Sequence, residues 1–142
     1  MRRYRVLVVE DDAGNKLVLA NIFRVSECID GVFEEKPAAV LDIVGAGDVD
    51  MVLMDVTLHN STLDGQPIDG LELTRRIKQL PTPAARRTPV VLLTAHCMVG
   101  DADRFMKASG ADSYIAKPLQ DIDGFIVWLS LTMEEYRAQA AA

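Results

Sequence analysis

The stretch Val6-Leu7-Val8-Val9-Glu10-Asp11-Asp12 sets a continuous apolar run against three consecutive acids. A second run, Met51-Val52-Leu53-Met54, ends on the lone carboxylate Asp55. Two later runs end in the same manner: Val90-Val91-Leu92-Leu93 leads into Thr94, and Ser113-Tyr114-Ile115-Ala116 leads into Lys117-Pro118. Short apolar runs separated by helix-length segments read as buried parallel strands alternating with covering helices. In an open parallel sheet the carboxyl ends of the strands carry the ligand site. Four strand tips therefore bring carboxylates, a hydroxyl and an ammonium to one edge.

Working outward, the first strand is expected over residues 4–9 and a helix over 13–27, with Asp12 as N-cap and Val18, Ile22 and Val25 as the buried face. A short second strand is expected near Val32-Phe33-Glu34. Pro37 suits the first turn of a second helix that runs to Val44 and stops at Gly45. Residues 48–54 give the third strand. A long connection, 56–68, precedes Asp69-Gly70-Leu71-Glu72, which has the spacing of a capping box, and a third helix whose apolar face is Leu73, Ile77 and Leu80. Pro81, Pro83 and Pro89 mark a loop into strand four. The fourth helix spans about 100–109 and ends at Gly110, the position of a C′ glycine. The last helix starts near Asp121 with Ile126, Leu129, Met133 and Tyr136 inward. Its alanine-rich end, 138–142, is expected to fray. Val127, Trp128 and Leu131 form a second apolar stripe, either an interface or a face packed on the tail.

The expected architecture is α/β: a doubly wound, five-stranded parallel sheet of order 2-1-3-4-5 with five helices. Right-handed crossovers place strands one and three side by side at the switch point. Glu10, Asp11 and Asp55 then become neighbours.

A chain of 142 residues, 49% hydrophobic and 25% charged, fits one globular domain covering residues 1–142. The formal net charge is −6, and no basic patch stands out beyond Arg2-Arg3-Tyr4-Arg5 and Arg86-Arg87, which argues against nucleic acid as a partner. No stretch approaches the roughly 20 apolar residues of a membrane span, nor is there a signal-type leader, so a cytoplasmic protein is expected. Cys28 and Cys97 have no metal-ligand spacing with each other or with His59 and His96, and read as buried thiols in a reducing compartment.

Several carboxylates at one strand edge repel each other unless protons or a cation intervene. Mg²⁺, a hard ion that prefers oxygen ligands and is often held by one or two carboxylates plus phosphate, is the natural occupant, and Mn²⁺ can substitute. Lys117 supplies a point charge for a phosphoryl oxygen, and the Thr94 hydroxyl can hydrogen-bond another. Asp55, alone on its tip, suits the nucleophile, since carboxylates form acyl phosphates. Phosphoryl transfer is catalysed mostly by positioning and charge stabilisation, which the cation and Lys117 would provide.

Taken together, Val8-Val9-Glu10-Asp11-Asp12, Leu53-Met54-Asp55, Asp69-Gly70-Leu71-Glu72-Leu73, Leu93-Thr94-Ala95 and Ala111-Asp112-Ser113-Tyr114-Ile115-Ala116-Lys117-Pro118 resemble a response-regulator receiver domain over nearly the whole chain. The regions around Asn15 and Met98-Val99-Gly100-Asp101 look most like single-domain regulators of cell-cycle relays and the receivers of hybrid histidine kinases. The resemblance implies a flavodoxin-like fold and a two-component phosphorelay. Asp55 would accept a phosphoryl group from phosphohistidine on a kinase or histidine phosphotransfer protein, followed by slow autodephosphorylation. Asp11, Asp55 and the backbone carbonyl of Thr57 would ligate Mg²⁺, with Glu10 acting directly or through water. Lys117 would pair with the phosphate, and Lys117-Pro118 is a bond such domains often hold in cis. Thr94 and Tyr114 would form the switch that remodels the surface of helix four, strand five and helix five for a downstream target protein or a second copy of the chain. Thr57 and His96 fall at positions that flank the phosphate in this family, whereas His59 reads as a loop residue.

One region departs from the family pattern. Leu58-His59 stands where Met-Pro is common, and Asp69-Gly70 comes several residues late. Asp64-Gly65 is an alternative match for the same pair. The extra residues are expected to affect kinase docking or phosphate lifetime. Few residues follow the last helix, so the expected output is protein binding or onward phosphotransfer. Asp55-Val56-Thr57 also bears a distant likeness to the nucleophile motif of haloacid-dehalogenase-like phosphatases, which usually carry capping elements without a counterpart here. A pseudo-receiver that keeps the fold without phosphorylation is a third alternative, opposed by the full set Asp11, Asp55, Thr94 and Lys117.

Overall fold

The computed structural model describes residues 3–95 and 98–141. Arg2, His96 and Cys97, singled out above, lie outside the described residues. The elements in chain order are β1 (Tyr4–Val9), α1 (Ala13–Val25), β2 (Ile29–Phe33), α2 (Pro37–Ala46), β3 (Met51–Asp55), β4 (Thr62–Leu63), β5 (Gln66–Pro67), α3 (Gly70–Lys78), α4 (Pro83–Arg87), β6 (Val90–Thr94), α5 (Asp101–Ser109), β7 (Ser113–Ala116) and α6 (Ile122–Ala141). The main sheet has the order β2-β1-β3-β6-β7, every pairing parallel. Counted along the sheet, this is the expected 2-1-3-4-5.

Strand side chains alternate between faces, and the apolar runs supply both faces at once. Val6, Val8, Met51, Leu53, Val91 and Leu93 pack with Leu19, Ile22 and Phe23 of α1 and with Phe125, Leu129 and Met133 of α6. Leu7, Val9, Val52, Met54, Val90 and Leu92 face the other way, onto Val40 and Val44 of α2, Leu73 and Ile77 of α3 and Ala85 of α4. Sandwiching the sheet between helices leaves the strand ends as the open edge.

Several local expectations need correction. The chain has six helices among the described residues, not five. The additional one, α4, begins where Thr82 accepts from the Ala85 N–H and Pro83 occupies the first turn, a start signal that the surrounding prolines obscured. α1 buries Leu19, Ile22 and Phe23, while Val18 and Val25 are exposed. The larger side chains win the interface because Phe23 stacks against Phe125, with ring centroids 6.4 Å apart. α2 runs through Gly45 and stops at Gly47, whose φ of 77° supplies the left-handed cap. The third strand begins at Met51 rather than Asp48, and the second spans Ile29–Phe33. β7 is a half-exposed edge strand, not a buried run. Cys28 is half-buried, its Sγ lying between the Ser26 and Ser130 hydroxyls.

The helix ends otherwise follow their caps. Asp12 and Asp69 accept from the N–H groups of Asn15 and Glu72, Asp121 accepts from the Gly124 N–H, and Gly110 ends α5 in the left-handed region. α6 continues through the alanine-rich end to Ala141, with Val127, Trp128 and Leu131 facing outward. Among the described residues no helix is long and apolar enough to cross a membrane.

Candidate functional site

Pairing of β1 with β3 sets Val9 beside Met54, so Glu10 and Asp11 leave the sheet next to Asp55. On the other side, β6 brings Leu93 level with Asp55, and β7 pairs Ala116 with Thr94. Lys117 follows immediately, its N–H donating to the Thr94 carbonyl at 2.8 Å. Its ammonium reaches back across the sheet edge. Lys117 Nζ donates to Glu10 Oε2 at 3.0 Å and stands 3.4 Å from Asp55 Oδ1. Glu10 is fully buried, and its second oxygen accepts the Asp12 N–H at 3.0 Å. Asp55 Oδ1 also accepts the Thr57 N–H at 3.1 Å.

Burial pushes the Asp55 carboxyl up from its ordinary 3.8 to about 6, and hydrogen bonding with Glu10 adds to that rise against the opposing charge of Lys117. One ammonium thus serves two carboxylates. The site is short of positive charge.

Asp11 completes the acidic group. Glu10, Asp11 and Asp55 each offer an oxygen within 4.8 Å of the others. Asp11 Oδ2 accepts the backbone N–H groups of His59 at 2.6 Å and Asn60 at 3.2 Å. Its Oδ1 is buried and has no hydrogen-bond partner among the described residues. A buried carboxylate oxygen without a donor is costly. A hard divalent cation bound by oxygen ligands fits both that orphan atom and the charge deficit.

The long connection after Asp55 is a small hairpin, β4 paired antiparallel with β5. Asp64 and Gly65 form its turn with φ of 53° and 78°, the pair of positive values that a two-residue hairpin turn demands. Gly70 has a different task. A Cβ at that position would collide with the Asp55 carbonyl oxygen, so only glycine lets α3 begin against the end of β3. Asp69-Gly70 is therefore the pair abutting the acidic cluster, and Asp64-Gly65 belongs to the extra hairpin.

Thr94 is buried at the tip of β6, and the Tyr114 ring on the neighbouring edge strand is 42% exposed. The Lys117-Pro118 bond is cis. The structure thus gathers Glu10, Asp11, Asp55, Thr57, Thr94 and Lys117 at one edge and leaves Tyr114 on the adjoining surface. Sequence reasoning missed the contribution of His59 and Asn60. Their main-chain donors are independent of side-chain type, so no residue signal marks them.

The model of the response regulator receiver domain matches residues 6–125. The chain belongs to this receiver family. Polar-differentiation response regulator DivK of Brucella ovis is 28% identical over 114 residues, covering 80% of this receiver and 84% of DivK. Response regulator PleD of Caulobacter vibrioides is 34% identical over 135 residues, covering 90% of this receiver. The receiver spans only 26% of PleD and 15% of the regulatory protein RpfC of Xanthomonas campestris, to which it is 27% identical. In three dimensions it matches the signal receiver domain of a LuxO repressor protein from Vibrio parahaemolyticus with a TM-score of 0.74, at 20% identity, covering 98% and 96% of the two chains. The receiver domain of a sensor histidine kinase from Pseudomonas aeruginosa, with magnesium coordinated in its active-site cleft, matches with a TM-score of 0.69 at 24% identity, covering 94% of this receiver and 97% of that chain.

Proposed function

We propose that this receiver accepts a phosphoryl group on Asp55 from a phosphohistidine of a histidine kinase or phosphotransfer protein. The observation that carries the reading is the buried Asp55 carboxylate held between the Lys117 ammonium and the Glu10–Asp11 acids. An Asp55 carboxylate oxygen attacks phosphorus, the P–N bond breaks, and the imidazole nitrogen leaves with the electron pair and takes up a proton. The product is an acyl phosphate. Asp11, Asp55 and the Thr57 carbonyl would hold Mg²⁺ or Mn²⁺, with Glu10 directly or through water. When bound, the ion would neutralise charge on the transferring group. Lys117, already within ion-pair reach of Asp55, pairs with a phosphoryl oxygen. Glu10 keeps that ammonium over the acceptor.

Thr94 and Tyr114 act as the switch. The added charge draws the Thr94 hydroxyl, and the exposed Tyr114 ring moves inward, shifting the population toward a second packing of α5, β7 and α6. The outward Val127, Trp128 and Leu131 stripe on α6 adjoins that surface and suits a target protein or a second copy of the chain.

Intact mass with peptide mapping, before and after acetyl phosphate with Mg²⁺, tests the acceptor. Wild type gains one phosphoryl group on Asp55 and Asp55→Asn gains none. Equal labelling of both refutes the assignment, and no labelling of either returns the chain to the pseudo-receiver class.

A further inference from the structure

We infer that the segment leading from Asp55 into the β4–β5 hairpin is a metal-positioning device, acting through the backbone N–H groups of His59 and Asn60 that clamp the Asp11 carboxylate. The inference rests on the reading of Glu10, Asp11 and Asp55 as the cation site. Both N–H groups donate to the same atom, Asp11 Oδ2, at 2.6 and 3.2 Å. Satisfying that oxygen from one side fixes the carboxylate rotamer and leaves the other oxygen, the unpartnered buried Oδ1, for a cation. Hydrogen bonds from N–H to an ionised acceptor are short and about twice as strong as neutral ones, and partners of this kind commonly govern metal affinity.

The clamp is anchored at both ends. Thr57, whose N–H holds Asp55, lies two residues before His59 in the same segment. Beyond the clamp, the Ile68 N–H donates to the Ser61 carbonyl at 3.0 Å, and the β4–β5 pairing closes the hairpin on itself. One short run of backbone therefore fixes two of the acids relative to each other.

The test separates amide from side chain. Magnesium chloride is titrated into the full chain, with affinity read from amide NMR shifts, for wild type, His59→Ala and His59→Pro. The alanine variant keeps the N–H and is expected to bind Mg²⁺ as wild type does. The proline variant lacks it and is expected to bind at least about tenfold more weakly. Equal affinities of the proline variant and wild type overturn the inference, as does an equal loss in the alanine variant. If His59→Pro does not fold, amide hydrogen exchange decides. The His59 N–H should be protected in metal-free wild type and exposed in Asp11→Ala, and a fast-exchanging His59 N–H in wild type overturns the clamp. A wild type that shows no Mg²⁺ titration at all overturns the cation site itself, a result distinct from the others.

Discussion

Replacing Asp55 with asparagine should stabilise the metal-free protein at neutral pH. Asp55 is buried beside Glu10, and its carboxyl titrates near 6 instead of 3.8. An acid whose pKa rises on folding holds its proton more tightly in the native state. Its contribution to stability is therefore full below 3.8 and is lost as pH climbs through about 6. At about 1.4 kcal/mol per pH unit, the gap between the two values makes the ionised side chain cost the fold about 3 kcal/mol at pH 7. The asparagine side chain keeps an oxygen for the Thr57 N–H and sheds the charge. At roughly 3 °C per kcal/mol for a domain of this size, Asp55→Asn should melt up to roughly 10 °C above wild type at pH 7 in chelator. The difference should shrink toward zero by about pH 4, where wild type is protonated too. Adding Mg²⁺ should narrow the gap by stabilising wild type through binding. Calorimetric melting of both proteins across this pH range measures all three effects. A variant no more stable than wild type at pH 7, or an advantage that persists unchanged in acid, would refute the electrostatic reasoning.

Lys117→Ala removes the cation from a fully buried Glu10 and should destabilise the metal-free fold by roughly 3 kcal/mol in urea titrations. Acetyl phosphate should label this variant more slowly than wild type by intact mass. Gly70→Ala forces a Cβ onto the Asp55 carbonyl and should cost at least about 2 kcal/mol, whereas Gly65→Ala, with φ of 78° but open space around it, should cost about 1 kcal/mol in the same assay. Trp128, the single tryptophan, lines a cavity of about 550 Å³ with Tyr114 and Lys117. Phosphodonor with Mg²⁺ should therefore change its fluorescence, and Tyr114→Ala should suppress most of that change.

The main features were legible because they depend on patterns that tertiary contacts reinforce. Continuous apolar runs at residues 6–9, 51–54 and 90–93 can be satisfied only by a sheet covered on both faces, and that sheet's topology alone makes Glu10 and Asp11 neighbours of Asp55. Patterns that several residues satisfy equally were less decisive. On α1, Val18, Ile22 and Val25 follow helical spacing as well as Leu19, Ile22 and Phe23 do, and only the position of Phe125 on a distant helix breaks the tie. The prolines around residue 83 signalled interruption while one of them began a helix. Within the connecting segment, two Asp-Gly pairs look alike as letters. One needs positive φ and the other needs the absence of a side chain, a distinction made by the neighbouring backbone.

The contact between Gly70 and the end of β3 has a wider consequence. The Gly70 N–H donates to the Val56 carbonyl at 3.1 Å, so the two stems of the intervening segment are fastened together whatever lies between them. Chain closure grows only logarithmically more expensive with length, about 0.6 kcal/mol for each doubling. Such a gate tolerates additions at its far side. New recognition surfaces grafted there leave the sheet beneath unchanged.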